Sequence, residues 1–291
     1  MRRWLQSGAR ACALATLVLL AAVHATASGG ATDIVRIPLD RGPATGMVAA
    51  IYSPQGDGPF PVVVYSHGRS QDRTETVVPD ARGFVHYFVR KGFAVVAPIR
   101  PGYGATGGTD REDSGVLYDI FGNCWGHPRF ATAAAAARDA ITVTIDWVRK
   151  QPWADARRIV LVGTSMGGLA SIATAAANVP GLAGYINFAG GTGGNGEAAP
   201  EHSCGSADME ALMARYGEAT HVPSLWLYAE NDRFWGAERP KAWHRAFAAG
   251  GSDTHFVETA PVPHADGHQL LGRGSRLWMP PVDQFLADLG F

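Results

Sequence analysis

A chain of 291 residues, 46% hydrophobic and 18% charged, has the composition of a globular protein with a sizeable core and is too long for a minimal domain. The formal net charge is −1 and no Lys/Arg block occurs, which argues against nucleic acid as a partner.

Residues 1–27 read as a secretory signal peptide. Arg2, Arg3 and Arg10 give a positive start, Ala11 to Val23 is an uncharged apolar run, and Ala25-Thr26-Ala27 is a small-x-small cleavage site. The competing transmembrane anchor needs roughly 20 apolar residues, more than this run supplies. Cys12 lies at the start of the apolar run rather than after it, against a lipoprotein signal. The expectation is a secreted or periplasmic protein, cut after Ala27 and left with no stable membrane anchor. Its net charge would move from −1 to −4 with the three arginines. The mature chain keeps Cys124 and Cys204, which an oxidising compartment makes disulfide partners, the alternative being two free thiols.

Ile34–Leu39 and Met47–Tyr52 read as two antiparallel strands around turn residues. Pro61–Tyr65 is a continuous apolar run, the mark of a strand covered on both faces. Phe84, Tyr87, Phe88 and Lys91 follow helical spacing up to Gly92, and Phe93–Ile99 is another buried strand. Arg100–Pro128 is long and Gly-rich, with no regular element in view. Phe130–Lys150 is helical, with an Ala-rich first half suited to lying close on a sheet, and Pro152 ends it. Ile159–Val162 is a short buried strand, and Leu169–Ala177 continues at helical spacing after it. Tyr185–Ala189 is a strand, and Gly190–Thr220 reads as a lid-like insertion with a short helix near Met209–Tyr216. Ser224–Ala229 and His255–Thr259 are strands around a helix at Ala242–Ala249, and Pro281 is expected in the first turn of a final helix. Strands alternating with helices imply one doubly wound, mostly parallel sheet over residues 28–291, with ligands beyond the carboxyl ends of the strands.

Between the Ile159 strand and the Leu169 helix stands Gly163-Thr164-Ser165-Met166-Gly167. Strand, Gly-x-Ser-x-Gly and helix together make a nucleophile elbow, in which a sharp turn exposes the serine hydroxyl and small neighbours let chain pass close by. A plain Gly-rich turn is the alternative. The amide of Met166, the residue after the serine, then lies at a helix start and serves as one oxyanion donor.

The elbow, the His67-Gly68 pair after a strand, and a late acid and histidine resemble the α/β-hydrolase superfamily over essentially the whole mature chain. The phrases Leu227-Tyr228-Ala229-Glu230-Asn231-Asp232 and Asp266-Gly267-His268 make it most similar to secreted dienelactone-hydrolase-like serine hydrolases. The resemblance implies an α/β-hydrolase fold, helices on both faces of the sheet, and chain order Ser, acid, His. It assigns the nucleophile to Ser165, the acid to Asp232 rather than Glu230 or Glu238, and the base to His268, with His264 as runner-up. It points to the Arg69 amide as second oxyanion donor. His67 and Tyr103 are candidates for the substrate pocket, though His67 is more simply a brace for its loop and Tyr103 a packed aromatic. The Arg69 side chain would be solvated or would pair with a substrate carboxylate. His264 and His268 have metal-ligand spacing only on a helix, and Pro261, Pro263 and Gly267 argue for a loop. No cofactor and no metal is implied.

The reading is an exported serine hydrolase acting on a small-molecule carboxylic ester. A serine peptidase of the same fold, and an inactive binding protein, are the alternatives. Oligomeric state leaves no mark in the sequence.

Overall fold

The computed structural model describes residues 33–70 and 72–291; the signal-peptide reading of residues 1–27 lies outside them. The antiparallel start is β1 (Asp33–Ile37) and β2 (Met47–Tyr52), and the Gly46 amide donates to Pro43 O at 2.9 Å in the turn between them. β3 (Phe60–Ser66) leads to α1 (Phe84–Arg90), which stops where Gly92 takes φ 87°, a left-handed conformation that costs glycine little. β4 (Ala94–Pro98) follows.

The Gly-rich stretch after β4 holds two short strands that composition did not reveal, β5 (Val116–Tyr118) and β6 (Cys124–Gly126). They pair antiparallel as a separate hairpin. Strands of three residues are too short for an alternating pattern to register, and glycines bracket them. Next come α2 (Phe130–Val148), β7 (Ala154–Thr164), α3 (Met166–Ala176) and β8 (Leu182–Phe188). The chain finishes with α4 (Ser206–Ala219), β9 (Ser224–Ala229), α5 (Glu238–Ala248), β10 (Thr254–Thr259), α6 (Leu270–Arg273) and α7 (Ser275–Asp288).

Eight strands form one sheet in the order β1-β2-β4-β3-β7-β8-β9-β10, antiparallel at the β1-β2-β4 edge and parallel from β4 to β10. Alternation along each central strand feeds two cores. Val62, Val64, Ile159 and Leu161 face the core shared with α2 to α5, whereas Val63, Tyr65, Val160 and Val162 face the one under α1, α6 and α7. Buried on both faces, these strands are apolar throughout, as parallel sheets require. The alanine face of α2 is inside, with Ala133, Ala134 and Ala137 fully buried. In the middle of the sheet, Tyr65 pairs with Val162 and Ser66 with Gly163.

Two expectations change. The final helix begins at Ser275, so Pro280 and Pro281 lie inside it rather than in its first turn. Pro280 and Pro281 lack the amides that would bond the carbonyls of Arg276 and Leu277, four residues back. The insertion is also smaller as a lid than its length implies. α4 is a core helix packed against α5, with Met209 and Met213 fully buried, and only the segment before it lies over the carboxyl edge of the sheet.

That segment and the hairpin form one body. Cys124 and Cys204 are bridged, with Cα atoms 5.9 Å apart. Tyr118 Oη donates to Gly193 O at 2.6 Å and accepts from the Cys204 amide at 2.9 Å.

Candidate active site

Ser165 stands between β7 and α3 with φ 54° and ψ −124°, a backbone state rare for a residue with a Cβ. The surroundings enforce it. The Ser165 amide donates to Phe188 O at 3.0 Å, and its carbonyl accepts from Gly168, Leu169 and Gly191 at 2.9, 3.1 and 3.1 Å. A Cβ on Gly163 would sit 2.1 Å from Gly167 O, and one on Gly167 would sit 1.9 Å from Ser66 O. The glycines of the elbow are therefore present for close passage of neighbouring chain.

Asp232 lies a short turn after β9 and is completely buried. His268 follows the loop after β10, and its Nδ1 donates to both Asp232 oxygens, at 3.1 and 3.2 Å. Asp232 Oδ1 also accepts from the Phe234 amide at 2.8 Å, and Asp266 Oδ1 accepts from the amides of Arg233 and His268 at 3.0 and 2.9 Å. The Phe234 ring stacks on the imidazole with centroids 4.0 Å apart. The ring is thus oriented by a carboxylate, a backbone clamp and an aromatic plate, leaving Nε2 available. His264 is exposed with φ 56° and has no hydrogen-bonded carboxylate among the described residues. Glu230 is exposed, and Glu238 is committed to Lys241 at 3.0 Å.

Two cavities meet at the serine. One, of about 440 Å³, is lined by Ser165, Met166, Arg69, the Gly191–Asn195 backbone and the hairpin. The other, of about 400 Å³, is lined by Ser165, His268, Phe84 and Leu271. Phe234 and Arg69 border both. The Ser165 hydroxyl and His268 share the second cavity without a hydrogen bond between them, a contact that commonly tightens only with substrate in place. A larger cavity of about 630 Å³, between the Leu39–Pro43 turn and α2, holds neither residue.

Behind Arg69 lies a buried polar network. Arg100, fully buried, donates from Nε and Nη2 to Glu112 at 2.7 and 2.8 Å and from Nη1 to Ser66 Oγ at 3.0 Å. Burial opposes the charge on Arg100. The Glu112 charge and hydrogen bonds outweigh it and leave the guanidinium above its ordinary pKa. An arginine directly after an apolar strand was the one visible clue, and only a contact map gives it a partner.

This network corrects the two pocket candidates. Tyr103 is 1% exposed, donates to Glu112 Oε2 at 2.8 Å and packs edge-on against His67, so it is a core aromatic away from both cavities. His67 Nδ1 donates to Gly68 O at 2.7 Å and Nε2 accepts from the Arg100 amide at 3.1 Å, so both ring nitrogens are used within the loop. Burial, then the Arg100 charge, holds its pKa well below 6.5, and the ring is neutral. The Arg69 guanidinium is likewise occupied, bonding Asp110 at 2.6 and 2.9 Å, which removes it as a partner for a substrate carboxylate.

A parallel sheet with a serine elbow at the carboxyl end of β7, and an acid and histidine after later strands, defines an α/β-hydrolase fold. The family model of the X-Pro dipeptidyl-peptidase (S15 family) matches residues 42–217, and the chain belongs to that family. It is a hydrolase of the α/β-hydrolase fold. Among solved structures, a putative dienelactone hydrolase from Klebsiella pneumoniae is 17% identical with a TM-score of 0.53, covering 89% of this chain and 97% of that one. A Pyrococcus furiosus esterase is 12% identical with a TM-score of 0.57, covering 89% and 91%. The Pyrococcus horikoshii acylaminoacyl peptidase is 14% identical with a TM-score of 0.57, covering 90% of this chain and 41% of that one. At these identities the likeness is one of fold. No curated protein matches the chain.

Proposed function

We propose that the chain is a serine hydrolase of carboxylic esters, with Ser165 as nucleophile, His268 as base and Asp232 as the group that orients and supports the imidazolium. The observation that carries the reading is the company Ser165 keeps: it shares a cavity with an imidazole already bonded to a fully buried carboxylate. Ser165 Oγ loses its proton to His268 Nε2 as it bonds to the carbonyl carbon. The amides of Arg69 and Met166 hold the oxyanion. Met166 opens α3, where a helix has no acceptor of its own for the amide. His268 then protonates the departing alcohol, and water cleaves the acyl-enzyme.

A peptidase is the second reading, favoured by the family match. An enzyme releasing N-terminal dipeptides must hold the substrate ammonium, which calls for a free carboxylate beside the acyl group. Asp113, the acid among the residues lining the Met166 cavity, is paired with Arg129. That pairing is why the ester is preferred.

We also infer export, supported by the Cys124–Cys204 bridge and the residue pattern of positions 1–27.

Labelling with a fluorophosphonate probe tests the nucleophile, with Ser165→Ala as control. Wild type labels and the variant does not; an unlabelled wild type sinks the serine reading and leaves a binding protein. Turnover of p-nitrophenyl acetate but not of an X-Pro p-nitroanilide separates esterase from peptidase, and the reverse pattern overturns the preference.

A further inference from the structure

The hairpin carries an apolar surface that none of the described residues covers. Leu117, Ile120, Phe121 and Trp125 are exposed by 53, 92, 82 and 60%. This is not a frayed loop. Asp119 Oδ1 accepts from the amides of Phe121 and Asn123 at 2.8 and 2.9 Å, Asn123 Nδ2 donates to Asp119 Oδ2 at 3.0 Å, and the Asp119 amide donates to Asn123 O at 3.0 Å. A Cβ on Gly122 would meet Ala198 O at 2.5 Å, so the tip is packed on the insertion as well as bridged to it. The turn therefore presents Ile120 and Phe121 outward in a fixed geometry. Grouped exposed apolar side chains on a soluble surface mark a place where something docks.

What docks follows from continuity with the two cavities. Leu117 lines the cavity that also holds Ser165 and Met166, and Trp125, its cross-strand partner, stands beside it on the same face of the hairpin. His268 belongs to the other cavity. In ester hydrolysis the carbon–oxygen bond to the alcohol breaks as His268 Nε2 hands that oxygen a proton. The alcohol must then occupy the His268 cavity, and the acyl group, bonded to Ser165 Oγ, is left with the cavity roofed by the hairpin.

We infer that the hairpin is the acyl-binding wall of the site and that the substrates are esters of extended apolar acids, whose distal carbons rest on Leu117, Ile120, Phe121 and Trp125. The inference rests on the serine-esterase reading above.

The experiment compares kcat/KM on p-nitrophenyl octanoate, p-nitrophenyl acetate and octyl acetate, for wild type and for Ile120→Ser/Phe121→Ser/Trp125→Ser. All three positions are exposed, so folding is checked by melting temperature. The variant's octanoate-to-acetate ratio is expected to fall about tenfold, the worth of roughly two CH₂ groups returned to water. Octyl acetate, which carries its apolar chain on the alcohol side, should fall no more than p-nitrophenyl acetate. An unchanged ratio overturns the inference, as does a loss confined to octyl acetate. Gel filtration showing a wild-type dimer that the variant dissociates also overturns it, by giving the surface to a second copy. A wild type that hydrolyses none of these esters refutes the esterase reading itself, whereas normal acetate turnover with an unchanged ratio refutes only the hairpin's role.

Discussion

Arg100 and His67 hold each other twice: Arg100 Nη1 donates to the His67 carbonyl at 2.7 Å, and the Arg100 amide donates to His67 Nε2 at 3.1 Å. Each contributes one side chain and one backbone atom, so the loop carrying Gly68 and Arg69 is pinned to the end of β4. Arg100 is in turn neutralised by Glu112.

Removing one half of that ion pair strands the other charge in the interior. Arg100→Met should destabilise by about 3–5 kcal/mol in chemical denaturation. It should also lower kcat at least tenfold, because the Arg69 amide loses its fixed support. The double variant Arg100→Met/Glu112→Leu should regain most of the stability and little of the kcat. A double variant that recovers both would reduce the pair to a fold element.

Asp232→Asn keeps the shape of the site but removes the charge that faces His268 Nδ1. The expected loss in kcat is roughly 10³–10⁴-fold with KM little changed. His264→Ala should stay within about twofold of wild type, since position 264 is exposed and without a carboxylate partner among the described residues. Steady-state kinetics on one activated ester reads both.

Stability should fall on mild acidification. Burial and then the Arg100 charge lower the His67 pKa well below 6.5, while an unfolded histidine titrates near that value. Below about pH 6.5 the unfolded chain therefore takes up a proton that the fold refuses. The contribution is complete above the unfolded value and is lost as pH falls toward the folded one. His244, pushed down to about 4 by burial and then by His255, acts with the same sign. Melting temperatures between pH 8 and 5 should drop below about 6.5, with a shallower drop in His67→Asn/His244→Asn. A flat wild-type profile would contradict this.

The bridge closes a loop with a sequence separation of 80. On the chain-entropy model its removal costs about 4.5 kcal/mol. Cys124→Ser/Cys204→Ser should show a loss of that order in urea, and reductant should bring wild type toward the variant. Identical denaturation midpoints with and without reductant would mean that the bridge adds nothing to the folded state.

The parts of the molecule legible in the sequence are those where local chemistry repeats. Val62 to Tyr65 and Ile159 to Val162 are unbroken apolar runs because parallel strands are covered on both faces, and the sheet follows from them. Asp232 and His268, 36 residues apart in sequence, were reachable because Asp232 stands in the turn after β9 and His268 at the end of the loop after β10, where position and family likeness coincide. Glu112 was not, because a buried carboxylate and a surface one look alike until Arg100 is found against it. The hairpin escaped notice because its pattern spans three residues per strand, and the plate formed by Phe234 because stacking on His268 depends on how two loops converge.

The parallel ladder of β3 and β7 also acts as a gauge. Ser66 is paired with Gly163, and Arg69 and Met166 each stand three residues beyond that pair. The spacing of the two amides proposed to hold the oxyanion is therefore ruled by strand register, with a slip of one residue displacing one donor from the other by roughly 3.3 Å. Loops over the cleft can be exchanged for new substrates while this dimension stays constant, because it is set one layer beneath them.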